Sequence, residues 1–256
     1  MDSQANNEEL RTQNSELTAT TPVQFVKGVG PARAATFAEL GVQTFDETVS
    51  ARILRPQKSD QVEEAFRFLK GETGAVVHAD LIAGLPGEDV AGFSRGFNRL
   101  VGLGPDEIQV GILKRLRGVP IARHDDTWGM VYRPEPPYDL VENGLIPKAE
   151  MDRLKRFGQL WERVWNHWRF RESAALLWRK DNEPFARFMA FAEWFEKDFG
   201  RTHAIPLPAF LEKLFRYLTH EAGIDPQTAA RTLAEDYQRD ARRSLPRYLK
   251  KCLGNH

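Results

Sequence analysis

The apolar positions in the middle of the chain alternate between strand-like runs and a helix-like spacing. Residues 75–82 (AVVHADLI) form a near-continuous apolar run of strand length, which is typical of a parallel strand covered on both faces. Residues 88–103 place apolar side chains on one side of a helix, and residues 107–113 (EIQVGIL) predict the next strand. With a short amphipathic helix at 60–70 before them, these segments predict a βαβ unit with a right-handed crossover.

After residue 146 the apolar spacing becomes helical. The stretch 117–147 holds five prolines and one short strand candidate, GMVY, and is predicted to be irregular. Helices are predicted near 147–180, 184–199, 208–222 and 226–242, with prolines at their starts and connections. Trp161, Trp165 and Trp168 share one helical face, and we interpret them as core packing rather than as a stacking platform for a base or cofactor.

The first 50 residues divide into a polar part and a compact part. Residues 1–21 carry almost no large apolar groups, so we predict that they are disordered. Residues 22–50 predict a helical hairpin, with an Ala-rich amphipathic helix that ends at Gly41. Thr44 is predicted to be the N-cap of the next helix, with Glu47 as its capping-box partner.

Composition narrows the class of protein. The 256 residues contain 36 Lys and Arg against 36 Asp and Glu, so no global positive field attracts nucleic acid. No apolar run approaches the length of a membrane span and the amino terminus lacks a signal-peptide pattern, so we expect a cytoplasmic protein without membrane contact. The single cysteine, Cys252, excludes an internal disulfide and a cysteine-held metal cluster within this chain. No catalytic set and no metal site are predicted, since His124 beside Asp125 lacks a second histidine at ligand spacing.

The turn that follows the first apolar strand is the candidate ligand-binding loop. It reads HADLIAGLPGED over residues 78–89. Gly84 and Gly87 can adopt a positive φ or let a ligand approach the backbone, and Pro86 stiffens the loop. In α/β sheets ligands bind at the carboxyl ends of strands, which is where this turn lies. The alternative is a tight strand-to-helix connection that needs glycines for its own geometry.

Several motifs in order resemble the later part of cobalamin-binding radical S-adenosylmethionine (SAM) proteins, in the subgroup with a helical C-terminal domain. They are HADLIAGLPGED, FSRGFNRLVGLGPDEIQVGILKRLRGVPI, GMVYRPEPPYDL and ENGLIPKAEMDRLKRF. The resemblance implies an α/β then mostly α chain: a partial (β/α) barrel fragment at 60–146 and a helical C-terminal domain at 147–256. It also implies a SAM-facing surface, formed by Asp80, Gly84, Leu85, Pro86, Gly87 and Glu88 with Gln109 from the neighbouring strand.

The sequence lacks features that the chemistry of that family requires. The CxxxCxxC loop that holds the iron–sulfur cluster is absent from the 256 residues, and there is no room upstream for the first barrel strands or a cobalamin domain. The sequence therefore does not support an iron–sulfur cluster or cobalamin as a cofactor, whereas it is compatible with binding of SAM. We expect a truncated or degenerate relative that keeps part of a SAM-facing surface and is not catalytic by itself. Its open sheet edge beside 76–82 needs a cover: the amino-terminal hairpin, residues 117–140, or another chain completing the barrel.

A second resemblance lies at the amino terminus. TPVQFVKGVGPARAATFAELGVQTFDETV is similar to the helix–hairpin–helix in the wedge domain of RecG-type ATP-dependent DNA helicases. It implies DNA phosphate contact through the backbone at Gly28 and Gly30, flanked by Lys27 and Arg33. The alternative is a helical hairpin with no ligand. For the whole chain, a small nucleic-acid-binding protein and a structural or interaction module are therefore kept as alternatives to the SAM-facing interpretation.

Overall fold

The computed structural model describes residues 37–73, 75–167, 170–200, 205–239 and 243–254. Within these ranges the chain is a mixed α/β protein, with a small parallel sheet followed by a helical part. None of the helices in this part of the chain is long and apolar enough to cross a membrane. The predicted disordered segment 1–21 and most of the predicted hairpin, including Lys27, Gly28, Gly30 and Arg33, lie outside the described residues.

Five strands and ten α-helices make up the regular structure of the described ranges. The strands, in chain order, are β1 (Phe37–Gln43), β2 (Val76–Ala83), β3 (Glu107–Ile112), β4 (Val131–Tyr132) and β5 (Leu140–Glu142). The α-helices are α1 (Glu47–Arg52), α2 (Ser59–Phe68), α3 (Val90–Leu103), α4 (Asp125–Trp128), α5 (Lys148–Trp161), α6 (Arg171–Ala175), α7 (Pro184–Phe199), α8 (Leu207–Arg216), α9 (Pro226–Gln238) and α10 (Arg247–Cys252). A 3₁₀ turn spans Pro120–His124, and π-helical turns span Leu69–Thr73, Glu162–His167 and Tyr217–Glu221.

The predicted βαβ unit is confirmed. Strands β1, β2 and β3 are parallel and adjacent in that order, and α3 connects β2 to β3. The prediction that both faces of β2 are covered is right for one face only, because alternate residues of this strand differ in exposure. Val77, Ala79, Leu81 and Ala83 are buried in the core shared with α3, whereas the residues between them, including His78 and Asp80, are only half-buried. This half-buried face leaves space for a cavity.

The helix predicted to end at Gly41 is wrong. Residues Phe37–Gln43 form β1, which pairs in parallel with β2 from Phe37 opposite Val76 onward. A strand edge carries unpaired N–H and C=O groups, and pairing with them outweighs a weak local helix propensity. Of the covers considered for the edge beside β2, it is therefore the amino-terminal segment that lies there, as a strand.

The predicted capping box at Thr44 is also wrong. Asp46 caps α1, and its Oδ1 accepts hydrogen bonds from the backbone N–H groups of Thr48 and Val49 at 2.8 and 3.0 Å. The Oγ1 of Thr44 instead accepts from the Asp46 N–H and donates to the Glu88 carboxylate. Thr44 and Asp46 are thus both candidate N-caps for α1. Because the Thr44 hydroxyl is bonded to Glu88, Asp46 serves as the cap.

The single helix predicted over 147–180 is divided. Helix α5 ends at Trp161, a π-helical turn continues to His167, and a new short helix begins at Arg171. The core-packing interpretation is confirmed for Trp161 and Trp165, which are buried with ring centroids 4.7 Å apart; Trp168 lies outside the described residues. Aromatic pairs of this kind contribute about 0.5–1.5 kcal/mol beyond the area they bury.

Side chains from the helical part satisfy the outer edge of β3. The amide of Asn166 accepts from the Ile108 N–H at 3.1 Å and donates to the Ile108 carbonyl at 2.9 Å, as a neighbouring strand would. The Trp161 indole donates to the same carbonyl at 3.1 Å. Farther along this edge, the Leu140 N–H donates to the Leu113 carbonyl at 2.8 Å. The sheet and the helices are thus joined by hydrogen bonds as well as by a continuous apolar core.

Candidate functional site

A cavity of about 370 Å³ lies on the half-buried face of the sheet, toward the carboxyl ends of β2 and β3. Its floor includes Asp80 and Ile82 from β2 and Gln109 and Gly111 from β3. The 3₁₀ turn Pro120–His124 forms part of its wall. Its volume falls in the range of small-molecule sites, roughly 300–1,000 Å³.

Two of the residues predicted to face SAM meet on the cavity floor. Asp80 and Gln109 are partners in the parallel register of β2 and β3, so their side chains project from the same face. Both line the cavity. A carboxylate and a carboxamide side by side can accept and donate hydrogen bonds to the polar edge of one ligand.

The candidate loop contributes little to the lining of the cavity. Leu85 lines it, but Gly84, Pro86, Gly87 and Glu88 are not among the lining residues. Gly84 has a φ of +90°, and a Cβ there would stand 2.5 Å from Leu140 Cδ2. Its missing side chain therefore makes room for β5 rather than for a ligand.

Gly87 is packed against the guanidinium of Arg52, which two contacts fix in position. It has a φ of +88°, and a Cβ at this position would overlap the Arg52 Nη1. That nitrogen donates to the Pro86 carbonyl at 2.6 Å, and the guanidinium lies 4.8 Å from the Trp128 ring centroid. The second loop glycine therefore admits a cation–π pair of the protein itself.

Glu88 is a buried acid that joins two connections of the sheet. The residue is 5% exposed, and its Oε1 accepts from the Thr44 hydroxyl at 2.5 Å. Its Oε2 has no hydrogen-bond partner among the described atoms. Burial raises the pKa of Glu88 to about 7, against the Thr44 hydrogen bond, and the Asp46 and Asp89 carboxylates raise it further. Thr44 thus occupies one of the two carboxylate oxygens of Glu88, a residue predicted to face SAM.

The amino end of α3 is capped internally as well. The Asp89 carboxylate accepts from the Gly92 N–H at 2.7 Å. This uses one of the free N–H groups with which the amino end of a helix could otherwise bind an anion. The candidate strand-end site is therefore the cavity beside the loop, and the loop itself is packed by protein groups.

Sequence reasoning missed the cationic side of the cavity. Arg55, Lys114 and Arg123 line it, and all three lie in connections rather than in strands. Gln43, another lining residue, has a φ of +51°, an uncommon conformation for a residue with a side chain. The available signal was the basic stretch LKRLRGVPIARH over 113–124, which begins where β3 ends.

The remaining candidate groups do not form a site in the described part of the chain. No cluster of three His, Cys, Asp or Glu side chains that could hold a metal ion occurs there. His124 contacts the Arg52 carbonyl at 3.2 Å, and Asp125 pairs with Arg115 at 3.0 Å. Cys252 is half-buried in α10, in the helical part.

Fold and site together define a mixed α/β protein with a strand-end cavity joined to a helical part. The chain belongs to the family described as protein of unknown function (DUF4080), whose model matches residues 126–255, just over half of the 256 residues. This domain is found in the C-terminal region of cobalamin-binding radical SAM proteins. No curated protein matches the chain. Every described residue that lines the cavity precedes the matched region.

Proposed function

We propose that this chain is a small-molecule-binding relative of radical SAM proteins, with an adenosyl ligand of the SAM class in the cavity on the sheet. The observation that carries the proposal is the pairing of Asp80 with Gln109 across β2 and β3, on the cavity floor. Three parallel strands linked through helices are what a segment of a (β/α) barrel contributes, and barrel ligands bind at the carboxyl ends of strands.

The iron–sulfur cluster of the related enzymes does not fit these residues. Such a cluster is held by several cysteine thiolates. Cys252 is the single cysteine in the sequence, and it is half-buried in α10. We therefore assign no cluster-driven reductive step to this chain, and the proposed activity is binding.

An adenosyl group matches the cavity in its hydrogen-bonding and apolar parts. The Asp80 carboxylate would accept hydrogen bonds from ribose hydroxyls, and the Gln109 amide would pair with a polar edge of the ligand. The apolar part of the lining, with Ile82 and Leu85, would cover the adenine ring. The lining offers one carboxylate to the positively charged sulfonium of SAM, and Arg55, Lys114 and Arg123 oppose that charge.

Thermal unfolding of the full chain with S-adenosylmethionine and with S-adenosylhomocysteine, whose sulfur carries no charge, tests the proposal. A ligand at 100 times its Kd stabilises the native state by about 2.7 kcal/mol, which raises the Tm by several degrees. Absence of a shift with both compounds at millimolar concentration would reject an adenosyl site.

Two variants locate any binding. Gly111→Leu fills the cavity floor, because a Cβ at Gly111 would meet only the Leu81 carbonyl oxygen, at 3.9 Å. Asp80→Asn removes the carboxylate, and Asp126→Asn, an exposed acid outside the cavity, is its matched control. We expect Gly111→Leu and Asp80→Asn to weaken the ligand-induced shift and Asp126→Asn to leave it unchanged. Binding that survives Gly111→Leu would place the ligand elsewhere.

A further inference from the structure

The described lining of the cavity carries more positively charged than negatively charged side chains. Among the described lining residues, Arg55, Lys114 and Arg123 are cationic and Asp80 is the one carboxylate. Three positive charges and one negative charge leave an excess of two positive charges on the lining.

Carboxylates near the cavity do not balance this excess. Asp125, next to His124, pairs with Arg115 at 3.0 Å. Asp139, whose backbone forms an isolated bridge with Lys114, directs its carboxylate to Lys155 at 2.7 Å. Both of these acids are thus engaged by cations outside the described lining.

One of the cations is held in position without a ligand. The Nη2 of Arg123 donates to the Arg52 carbonyl at 2.5 Å, while its Nε contacts the neighbouring imidazole. A guanidinium anchored on a carbonyl and an imidazole keeps its full charge, because neither partner is an anion. Arginine in a fixed position suits the planar oxygens of a carboxylate or phosphate.

Apolar side chains supply the rest of the wall. Leu116 and Val119, at the cavity, are 54% and 44% exposed, although both are large apolar residues. Ile53, Leu85 and Ile121 extend this apolar lining. A ligand with an apolar body would cover these side chains and gain from their removal from water.

We infer that the cavity takes an organic anion, with a phosphate or carboxylate head held by Arg55, Lys114 and Arg123 and an apolar body against the leucine and isoleucine wall. The inference rests on the proposed function, because it concerns the ligand class of the same cavity. It ranks adenosyl compounds by net charge: an anionic adenosine phosphate binds more tightly than uncharged adenosine and more tightly than S-adenosylmethionine, whose net charge is positive.

Calorimetric titration of the full chain with four probes tests the inference. The probes are 5′-AMP, adenosine, S-adenosylmethionine and octanoate, so that a nucleotide and an aliphatic carboxylate are compared as sources of the anionic head. We expect AMP to bind about tenfold or more tightly than adenosine, since charge-assisted hydrogen bonds are the stronger ones, and to lose that advantage as salt is raised.

Neutralising variants assign the effect to the cavity. Lys114→Gln and Arg55→Gln should each reduce AMP affinity several-fold and leave adenosine affinity unchanged. Arg117→Gln is the matched control, an exposed cation in the same connection that does not line the cavity. A structural loss alone would weaken AMP and adenosine equally, and that result would count against the inference.

The outcomes separate the two proposals. If S-adenosylmethionine binds more tightly than AMP and octanoate does not bind, the anion inference is overturned and the adenosyl function stands. If octanoate binds and no adenosyl compound does, the anion inference stands and the adenosyl function is rejected. Binding of none of the four probes overturns both.

Discussion

The replacement Glu88→Gln should remove a pH dependence of stability that this one carboxyl produces. The side chain is buried, its Oε1 accepts from Thr44, and burial raises its pKa from 4.5 to about 7. A glutamine at this position would not titrate, yet its side-chain oxygen would still accept the Thr44 hydrogen bond. The variant therefore isolates the ionisation of one group.

The size of the effect follows from the pKa difference. In the unfolded chain Glu88 ionises near pH 4.5, and in the native state near pH 7. The native state therefore favours the protonated acid, whose contribution is fully present below pH 4.5 and is lost as the pH rises through about 7. At about 1.4 kcal/mol per pH unit, the wild-type protein loses about 3 kcal/mol from this group between those limits.

Urea unfolding of wild type and Glu88→Gln between pH 4.5 and 8 measures the difference. We expect the variant to gain stability relative to wild type as the pH rises, by about 3 kcal/mol over that range. Glu135→Gln, an exposed acid, is the control and should show no such trend. A constant difference between wild type and Glu88→Gln at every pH would refute the reasoning that burial of this carboxyl controls its ionisation.

Two further predictions concern the packing around the sheet, and chemical unfolding checks both. Gly87→Ala should lower the free energy of unfolding by about 2 kcal/mol, because the φ of Gly87 is positive and the new methyl group would overlap the Arg52 guanidinium. The control is Gly102→Ala, in a helix with no described atom within 4 Å of the added carbon, which should stabilise the protein by about 0.5–1 kcal/mol. Equal effects of the two substitutions would contradict the argument. Asn166→Ala should cost about 2 kcal/mol and speed hydrogen exchange of the Ile108 amide, because that buried N–H loses its acceptor; unchanged exchange would show that another group satisfies it.

The sheet illustrates what local pattern can predict. The strands at 75–82 and 107–113 and the helix between them are predictable because their apolar runs and helical spacing are properties of neighbouring residues. The sequence allows Gly84 and Gly87 either a positive φ or the close approach of a ligand to the backbone, and both have a positive φ. The sequence does not show why glycine is needed at these two positions. The structure shows that Leu140 and Arg52 fill the space that a side chain would need at Gly84 and Gly87, respectively.

Errors occur where a distant group decides the local structure. Phe37–Gln43 carries a helix-like pattern but forms a strand, because the edge of β2, some forty residues later, offers hydrogen-bond partners. Thr44 resembles a helix cap but bonds to Glu88. The long helix predicted from residue 147 is interrupted after Trp161, in the region where Asn166 bonds to Ile108 of β3.

For this protein, residue order specifies the existence and type of the central elements and the lack of cluster-binding cysteines in the 256 residues. Folding in three dimensions adds the pairing of Asp80 with Gln109 on one face, and it adds the cavity and its charge. Arg55 comes from a different connection than Lys114 and Arg123, and folding brings the two connections together. Periodicity reports which face of an element is apolar, and it carries no information about which connections meet above that face. The chemistry of the site is therefore set by contacts between segments that no local pattern encodes.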